Sequence, residues 1–163
     1  FCSMTDVKTF NKVESVKTYT LSYMLKKRSE FAQKSPLYLE TGGMHGACLV
    51  DENGDIIVRE DIGRHNAVDK VIGHAVRNEL DPANLLLLTT GRISYEMLSK
   101  AARFGFAVIG SRTAATKQAV QLAKFLNIDI VGYLRGRKAV QYTSCGRVIN
   151  DLEERMKAGG SSY

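Results

Sequence analysis

The sequence predicts an α/β domain of three layers, α/β/α, on a mixed sheet whose core strands run parallel. Three observations predict it. Short apolar runs at Leu85-Leu86-Leu87-Leu88, at 107–110 and at 128–133 alternate with stretches of helical period, the succession that makes right-handed crossovers. Ahead of them, two strand-like runs flank Glu52-Asn53-Gly54, a turn signal that marks an antiparallel hairpin. Polar loops at 89–94 and 111–116 follow two of the apolar runs, at the carboxyl ends of strands where open α/β sheets hold their ligands.

Taken in order, residues 1–14 read as irregular. Leu21, Met24, Leu25, Arg28, Phe31 and Ala32 recur at three and four, predicting a helix over 16–33 that ends ahead of Pro36. Lys26, Lys27 and Arg28 are then a solvated face of it. Thr41-Gly42-Gly43 is a corner, where adjacent glycines permit a tight turn or close approach of backbone to a ligand. Strands follow at 45–50 and 55–59. After Gly63 the period changes, and Ala67, Val68, Val71, Ile72, Ala75 and Val76 form the apolar face of a helix reaching about residue 80, where Asp81-Pro82 breaks it. The leucine run lacks polar alternation, so it is a strand buried on both faces. Ser94 is placed to cap a helix to about 104. A buried strand at 107–110, an amphipathic helix over 114–126 and a strand over 128–133 come next, and 139–142 adds an edge strand. A short charged helix over 151–157 precedes a flexible tail at 159–163. The organisation is an N-terminal segment, 1–40, with one helix, then a core domain over 41–158 and the tail.

With 163 residues, 44% hydrophobic and 25% charged, the chain can bury one core without disulfides or metal. No apolar run approaches the roughly 20 residues of a membrane helix and the start lacks a signal-peptide core, so a cytoplasmic protein without a membrane partner is expected. The chain opens at Phe1-Cys2, and further sequence is expected ahead of it. Cys2, Cys48 and Cys145 are odd in number and far apart, which fits a reducing compartment and excludes a disulfide framework or a paired zinc motif. The net charge of +6 is uneven: Arg135, Arg137, Lys138 and Arg147 lie in a stretch without acids, a local field that attracts phosphate. Tyr and Phe do not interleave with basic residues and Trp is absent, so no nucleic-acid partner is expected.

Chemistry concentrates in 41–70. Glu60, Asp61, Arg64, His65, Asn66, Asp69 and Lys70 are denser than a helix start needs for solubility, which suggests a site. The alternative is that Asp61 caps the helix while Arg64 and Asp69 are ordinary exposed charges. Walker and Rossmann phosphate loops, a nucleophile elbow and the zinc deaminase signature are missing. His45 and His65 are read as hydrogen-bonding or substrate-contacting groups, with no metal expected.

Thr41-Gly42-Gly43-Met44-His45, the run from Glu60 to Lys70 (EDIGRHNAVDK), Gly91-Arg92-Ile93-Ser94-Tyr95-Glu96 and Ser111-Arg112-Thr113-Ala114-Ala115-Thr116 together resemble the formate dehydrogenase accessory protein family, FdhD/NarQ. The resemblance implies a cytidine deaminase-like fold without the zinc ligands. It also implies a sulfurtransferase: a cysteine on a mobile loop receives sulfur as a persulfide from a cysteine desulfurase. The sulfur passes to the molybdenum or tungsten of a bis(molybdopterin guanine dinucleotide) cofactor, a bound substrate for which GDP is an analogue. The formate dehydrogenase catalytic subunit is the implied client, and a homodimer the implied assembly.

Carried over by position, the cofactor-binding residues are Thr41, Gly42, Gly43 and His45; Glu60, Asp61, Arg64, His65, Asp69 and Lys70; Gly91, Arg92 and Ser94; and Ser111 and Thr116. The turn Tyr133-Leu134-Arg135-Gly136-Arg137-Lys138 matches the family's cofactor-contacting segment, and its arginines suit phosphate oxygens while Tyr133 suits a purine. Its other reading is a solvated basic turn. Cys2 stands at the family spacing of the persulfide cysteine, although Ser3, Met4 and Thr5 supply no second cysteine; a carrier ahead of Phe1 is the alternative. Cys145, beside Arg147, ranks next, because a nearby cation lowers a thiol's pKa. Two functions of other classes remain open: a guanine nucleotide-binding module without catalysis, and a nucleotide hydrolase using Asp61 with His65.

Overall fold

The computed structural model describes residues 17–34, 44–135 and 138–152. Tyr19–Thr20 (β1) leads directly into Leu21–Gln33 (α1). The helix begins at 21 and not at 16 because the Thr20 hydroxyl accepts the Tyr23 N–H at 3.1 Å as a cap. The two residues of β1 pair in parallel with Val148–Ile149 (β8), and the Ser22 N–H donates to the Asp151 carboxylate at 3.0 Å. The expected solvated face of α1 also needs correction. Lys26 is exposed, but Lys27 is buried, its ammonium donating to the Gly54 carbonyl at 2.6 Å and lying 3.2 Å from Glu30.

His45–Val50 (β2) and Ile56–Asp61 (β3) form the expected hairpin, in register from His45 opposite Asp61 to Val50 opposite Ile56. Gly54 takes φ +86° in its turn, a conformation open to glycine at little cost. Arg64–Arg77 (α2) stops short of 80, since Glu79 turns left-handed (φ 51°) and the Leu80 N–H closes back on the Ala75 carbonyl at 2.9 Å. Next come Leu86–Thr89 (β4), Tyr95–Phe104 (α3), Val108–Ser111 (β5), Lys117–Leu126 (α4), Asp129–Arg135 (β6) and Lys138–Gln141 (β7). The last helix starts at 117, later than expected, because Ala115 bridges Ile93 and Thr116 then serves as the cap.

The six-stranded sheet runs β3-β2-β4-β5-β6-β7. Its centre, β4-β5-β6, is parallel and the remaining pairs are antiparallel, so the sheet is mixed around a parallel core, as the alternation of runs predicts. The two crossovers step in one direction and set α3 and α4 on the same face; an Asp69–Lys100 ion pair of 2.8 Å ties α2 to α3. On the other face α1 lies close, because Gly110 has no side chain: a Cβ there would come within 2.7 Å of Leu88 and 3.2 Å of Met24. No helix among the described residues is long and apolar enough to cross a membrane. Of the expected helix over 151–157, Asp151 and Leu152 are helical and the rest lies outside the described residues, as do the tail and most of the N-terminal segment.

The amino edge of the sheet is closed by a buried charge. Asp129 is 0% exposed and Arg147 4%. The carboxylate accepts the Cys145 N–H at 2.7 Å and the Arg147 N–H at 3.3 Å, and lies 3.4 Å from the Arg147 guanidinium. That guanidinium also donates to the Asn127 carbonyl, while the Arg147 carbonyl receives the Tyr19 N–H at 2.7 Å. Arg147 therefore leaves the phosphate-attracting field to which its sequence position assigns it.

Candidate functional site: the carboxyl rim of the sheet

Four chain segments meet at the opposite edge. β2 begins where β4 ends, and the Gly46 N–H donates to the Thr90 hydroxyl at 2.9 Å while its carbonyl accepts the Thr90 N–H at 3.1 Å. The Thr89 hydroxyl receives the Gly91 N–H at 3.2 Å. Ser111, at the end of β5, donates its hydroxyl to the Gly91 carbonyl at 2.7 Å and accepts the Thr113 N–H at 3.0 Å. The Thr113 carbonyl receives the Tyr133 N–H at 3.0 Å. The loops after β4, β5 and β6 are thereby one connected rim, the arrangement expected from polar loops behind buried strands. Thr90 is a joint of this rim that sequence reading passes over; the signal available was the pair Thr89-Thr90 just before Gly91, a motif that favours side-chain turns.

The predicted residues fall into distinct roles here. His45 stands opposite Asp61 at the open end of the hairpin. Asp61 does not cap α2, whose N-cap is Gly63. Its carboxylate pairs with Lys70 at 2.9 Å and accepts the Gly63 N–H at 3.0 Å, with the Asn66 amide at 3.4 Å. The Lys70 hydrogen bond, then the Gly63 N–H, holds Asp61 down at about 2. Lys70 also donates to the Glu60 carbonyl at 2.9 Å, so the turn from β3 into α2 is braced from within. His65 has no hydrogen bond to Asp61 and is held below its ordinary value, chiefly by desolvation and then by the charges of Lys100 and Arg64. The Asp61–His65 base pair of a hydrolase is not assembled.

Arg64 lies over Gly91, whose missing side chain makes the room: a Cβ there would be 2.9 Å from both Cβ and Cδ of Arg64. Its Nε is buried with no hydrogen-bond partner among the described residues. Arg92 is exposed beside it. Ser94 and Thr116 cap α3 and α4, accepting the Met97 and Ala119 N–H groups at 3.2 Å each. Asp69 is the partner of Lys100.

At the end of β6 the chain departs from regular pairing with a bulge between Gly132 and Arg135, and Tyr133 takes φ 52°. The Arg135 guanidinium lies 5.4 Å from the Tyr133 ring centroid, a cation over an aromatic face. Arg135 and Lys138 are exposed, whereas Leu134 is wholly buried and turned into the core, so only its backbone faces the turn. Thr41, Gly42, Gly43, Gly136, Arg137 and Cys2 lie outside the described residues. Among the described residues no three of His, Cys, Asp and Glu gather as a metal would require.

Of the two thiols described, Cys48 is buried in β2 and pushed up to about 12 by desolvation. Cys145 is raised too, first by desolvation and then by the Asp129 charge. The cation expected to activate it, Arg147, is engaged by that same carboxylate, and the thiol sits at the amino edge, across the sheet from the rim.

A model of the FdhD/NarQ family matches residues 2–149. The chain is 44% identical over 119 residues to the sulfur carrier protein FdhD of Wolinella succinogenes, covering 73% of this chain and 42% of that protein. To the Bacillus subtilis sulfur carrier protein FdhD it is 37% identical over 143 residues, 88% of this chain and 55% of the relative. The chain thus spans about half the length of the curated relatives it matches. A crystal structure from Desulfotalea psychrophila, assigned as a formate dehydrogenase accessory protein, superposes with a TM-score of 0.80 at 30% identity, over 90% of this chain and 63% of that one. With the described residues of its motifs gathered at one rim and a family match over nearly its whole length, the chain belongs to the FdhD/NarQ family.

Proposed function

We propose that the protein is a cytoplasmic sulfur carrier for formate dehydrogenase, a sulfurtransferase that moves persulfide sulfur from a cysteine desulfurase to the molybdenum or tungsten of a bis(molybdopterin guanine dinucleotide) substrate. The observation that carries the reading is the convergence of the described motif residues, His45, Arg64, Gly91 and Ser111 among them, on the carboxyl rim, because that is where an α/β sheet presents loops and backbone N–H groups to a ligand. The names of the relatives, sulfur carrier protein FdhD, support the sulfur chemistry. A homodimer with a cytidine deaminase-like core is the assembly proposed.

Cys2 takes the sulfur. Its thiolate attacks the terminal sulfur of the desulfurase persulfide; a new S–S bond forms on Cys2 as the old one breaks, and the desulfurase cysteine leaves as thiolate, with no net oxidation. The raised pKa values of Cys48 and Cys145 favour Cys2 over those two thiols, a carrier ahead of Phe1 being the alternative. At the rim, Tyr133 and Arg135 suit a planar base, which an aromatic ring and a guanidinium plane both stack upon. Arg64 over Gly91 and the exposed Arg92 add positive charge beside it.

Mass spectrometry after incubation with a desulfurase and cysteine tests the carrier. One added sulfur is expected on the wild type and on Cys145→Ala, and none on Cys2→Ala; the reverse pattern overturns the assignment. Calorimetric titration with GDP tests the rim. Replacing both Arg135 and Arg137 with alanine should weaken binding at least tenfold, as the loss of charge-assisted hydrogen bonds worth roughly 1.5 to 3 kcal/mol each requires. Unchanged affinity in the double variant returns the segment to a solvated turn.

A further inference from the structure

Helix α1 brings to the rim a charge that belongs to none of the four motifs. Met24 packs against Gly110 of β5, and Phe31 against Gly46 of β2, where a Cβ would meet its ring at 3.0 Å. β4 runs between those two strands. Arg28 stands four residues after Met24 and three before Phe31, on the same stripe of the helix. Helical geometry therefore carries it over the carboxyl end of β4, beside the loop that follows β5.

The Nε of Arg28 is buried and has no hydrogen-bond partner among the described residues. The acid nearest in sequence, Glu30, is held at 3.2 Å by Lys27, on the side of α1 that faces the β2–β3 turn. Burial and then the charge of Arg112 lower the pKa of Arg28, so like charges approach where solvent is partly excluded. Two guanidinium forks brought together match the oxygens of a diphosphate, each offering it paired N–H donors. Arg112 also precedes Thr113, whose carbonyl holds the Tyr133 N–H at 3.0 Å, so a diphosphate here adjoins the position suited to the base.

We propose that Arg28, reaching over the rim from α1, forms with Arg112 a subsite for the diphosphate of the nucleotide ligand. The inference rests on the reading of the rim as a nucleotide site and adds to it the α1 side of the ligand. It assigns the N-terminal helix a binding task besides covering the sheet.

Calorimetric titrations of the full chain with GDP and with guanosine test it, using wild type, Arg28→Ala and Arg28→Lys. GDP affinity should fall at least tenfold in Arg28→Ala and by a smaller factor in Arg28→Lys, which keeps the charge and the packed stem but loses the fork. Guanosine affinity should be the same in all three. GDP affinity unchanged in Arg28→Ala, or GDP and guanosine weakened alike, overturns the subsite and leaves the rim reading standing. A wild type that binds neither ligand overturns the rim reading and the subsite with it. If Arg28→Ala does not fold, Arg28→Lys decides alone: at least a threefold loss for GDP with none for guanosine supports the subsite, and anything less removes it.

Discussion

At the amino edge of the sheet Asp129 and Arg147 are both withdrawn from water, and backbone N–H groups, a carbonyl and each other surround them. At the carboxyl edge Arg64, and on α1 Arg28, each keep a buried Nε without a hydrogen-bond partner among the described residues. Buried polar groups are normally satisfied, so a satisfied pair reads as architecture and an unsatisfied one as a place prepared for something else. Charge alone does not separate the two edges; what separates them is whether the chain itself completes the hydrogen bonds.

The difference can be broken from either side. Asp129→Ala should produce the largest effect on stability, because it strands Arg147 in the interior and frees β1 from its anchor. A loss of about 3–5 kcal/mol is expected from urea denaturation, as for removal of one partner from a buried ion pair, with GDP affinity of the protein that remains folded unchanged. Arg64→Ala should behave in the opposite way: stability should change by less than about 1 kcal/mol, since no hydrogen bond of its Nε is lost, and GDP affinity should fall several-fold. If Arg64→Ala instead destabilises as much as Asp129→Ala with affinity intact, the rim is architecture as well.

The smallest effect concerns His65, whose folded-state pKa lies below the ordinary 6.5. Protonation then favours the unfolded chain, so the contribution is complete above about 6.5 and drains away as pH falls through the lower folded value. An NMR titration should place the His65 midpoint below that of an unfolded peptide, and the urea midpoint should drop modestly between about pH 7 and about pH 5. A His65 midpoint at or above 6.5 would show that burial, with the charges of Lys100 and Arg64, does not act on it as described.

Local signals made most of the fold legible. The leucine run, the Ser94 cap and the Glu52-Asn53-Gly54 turn each act within a few residues, and each lies where the pattern puts it. Failures occurred where distant segments meet. Nothing near residue 16 announces that Tyr19 will pair with Val148, and Lys27 looks like a surface lysine until the Gly54 carbonyl arrives from another element. Arg147 reads as one of a basic group because its partner, Asp129, is 18 residues away across a strand and a turn. The site followed the same rule: its motifs are visible in the chain, while Thr90 joins it only through tertiary contact with Gly46.

The parallel pairing of β1 with β8 also sets a timetable for synthesis. Ser22 and Asp151, joined by a hydrogen bond, are 129 residues apart. At roughly 5–20 residues per second, a ribosome takes about 6 to 26 s to deliver the second after the first. Throughout that interval β1, the strand that leads into α1, lacks its β8 partner, while the strands α1 lies on, β2, β5 and β6, are delivered earlier. The first of the described strands is thus the last to be paired, and it waits for the last strand to emerge.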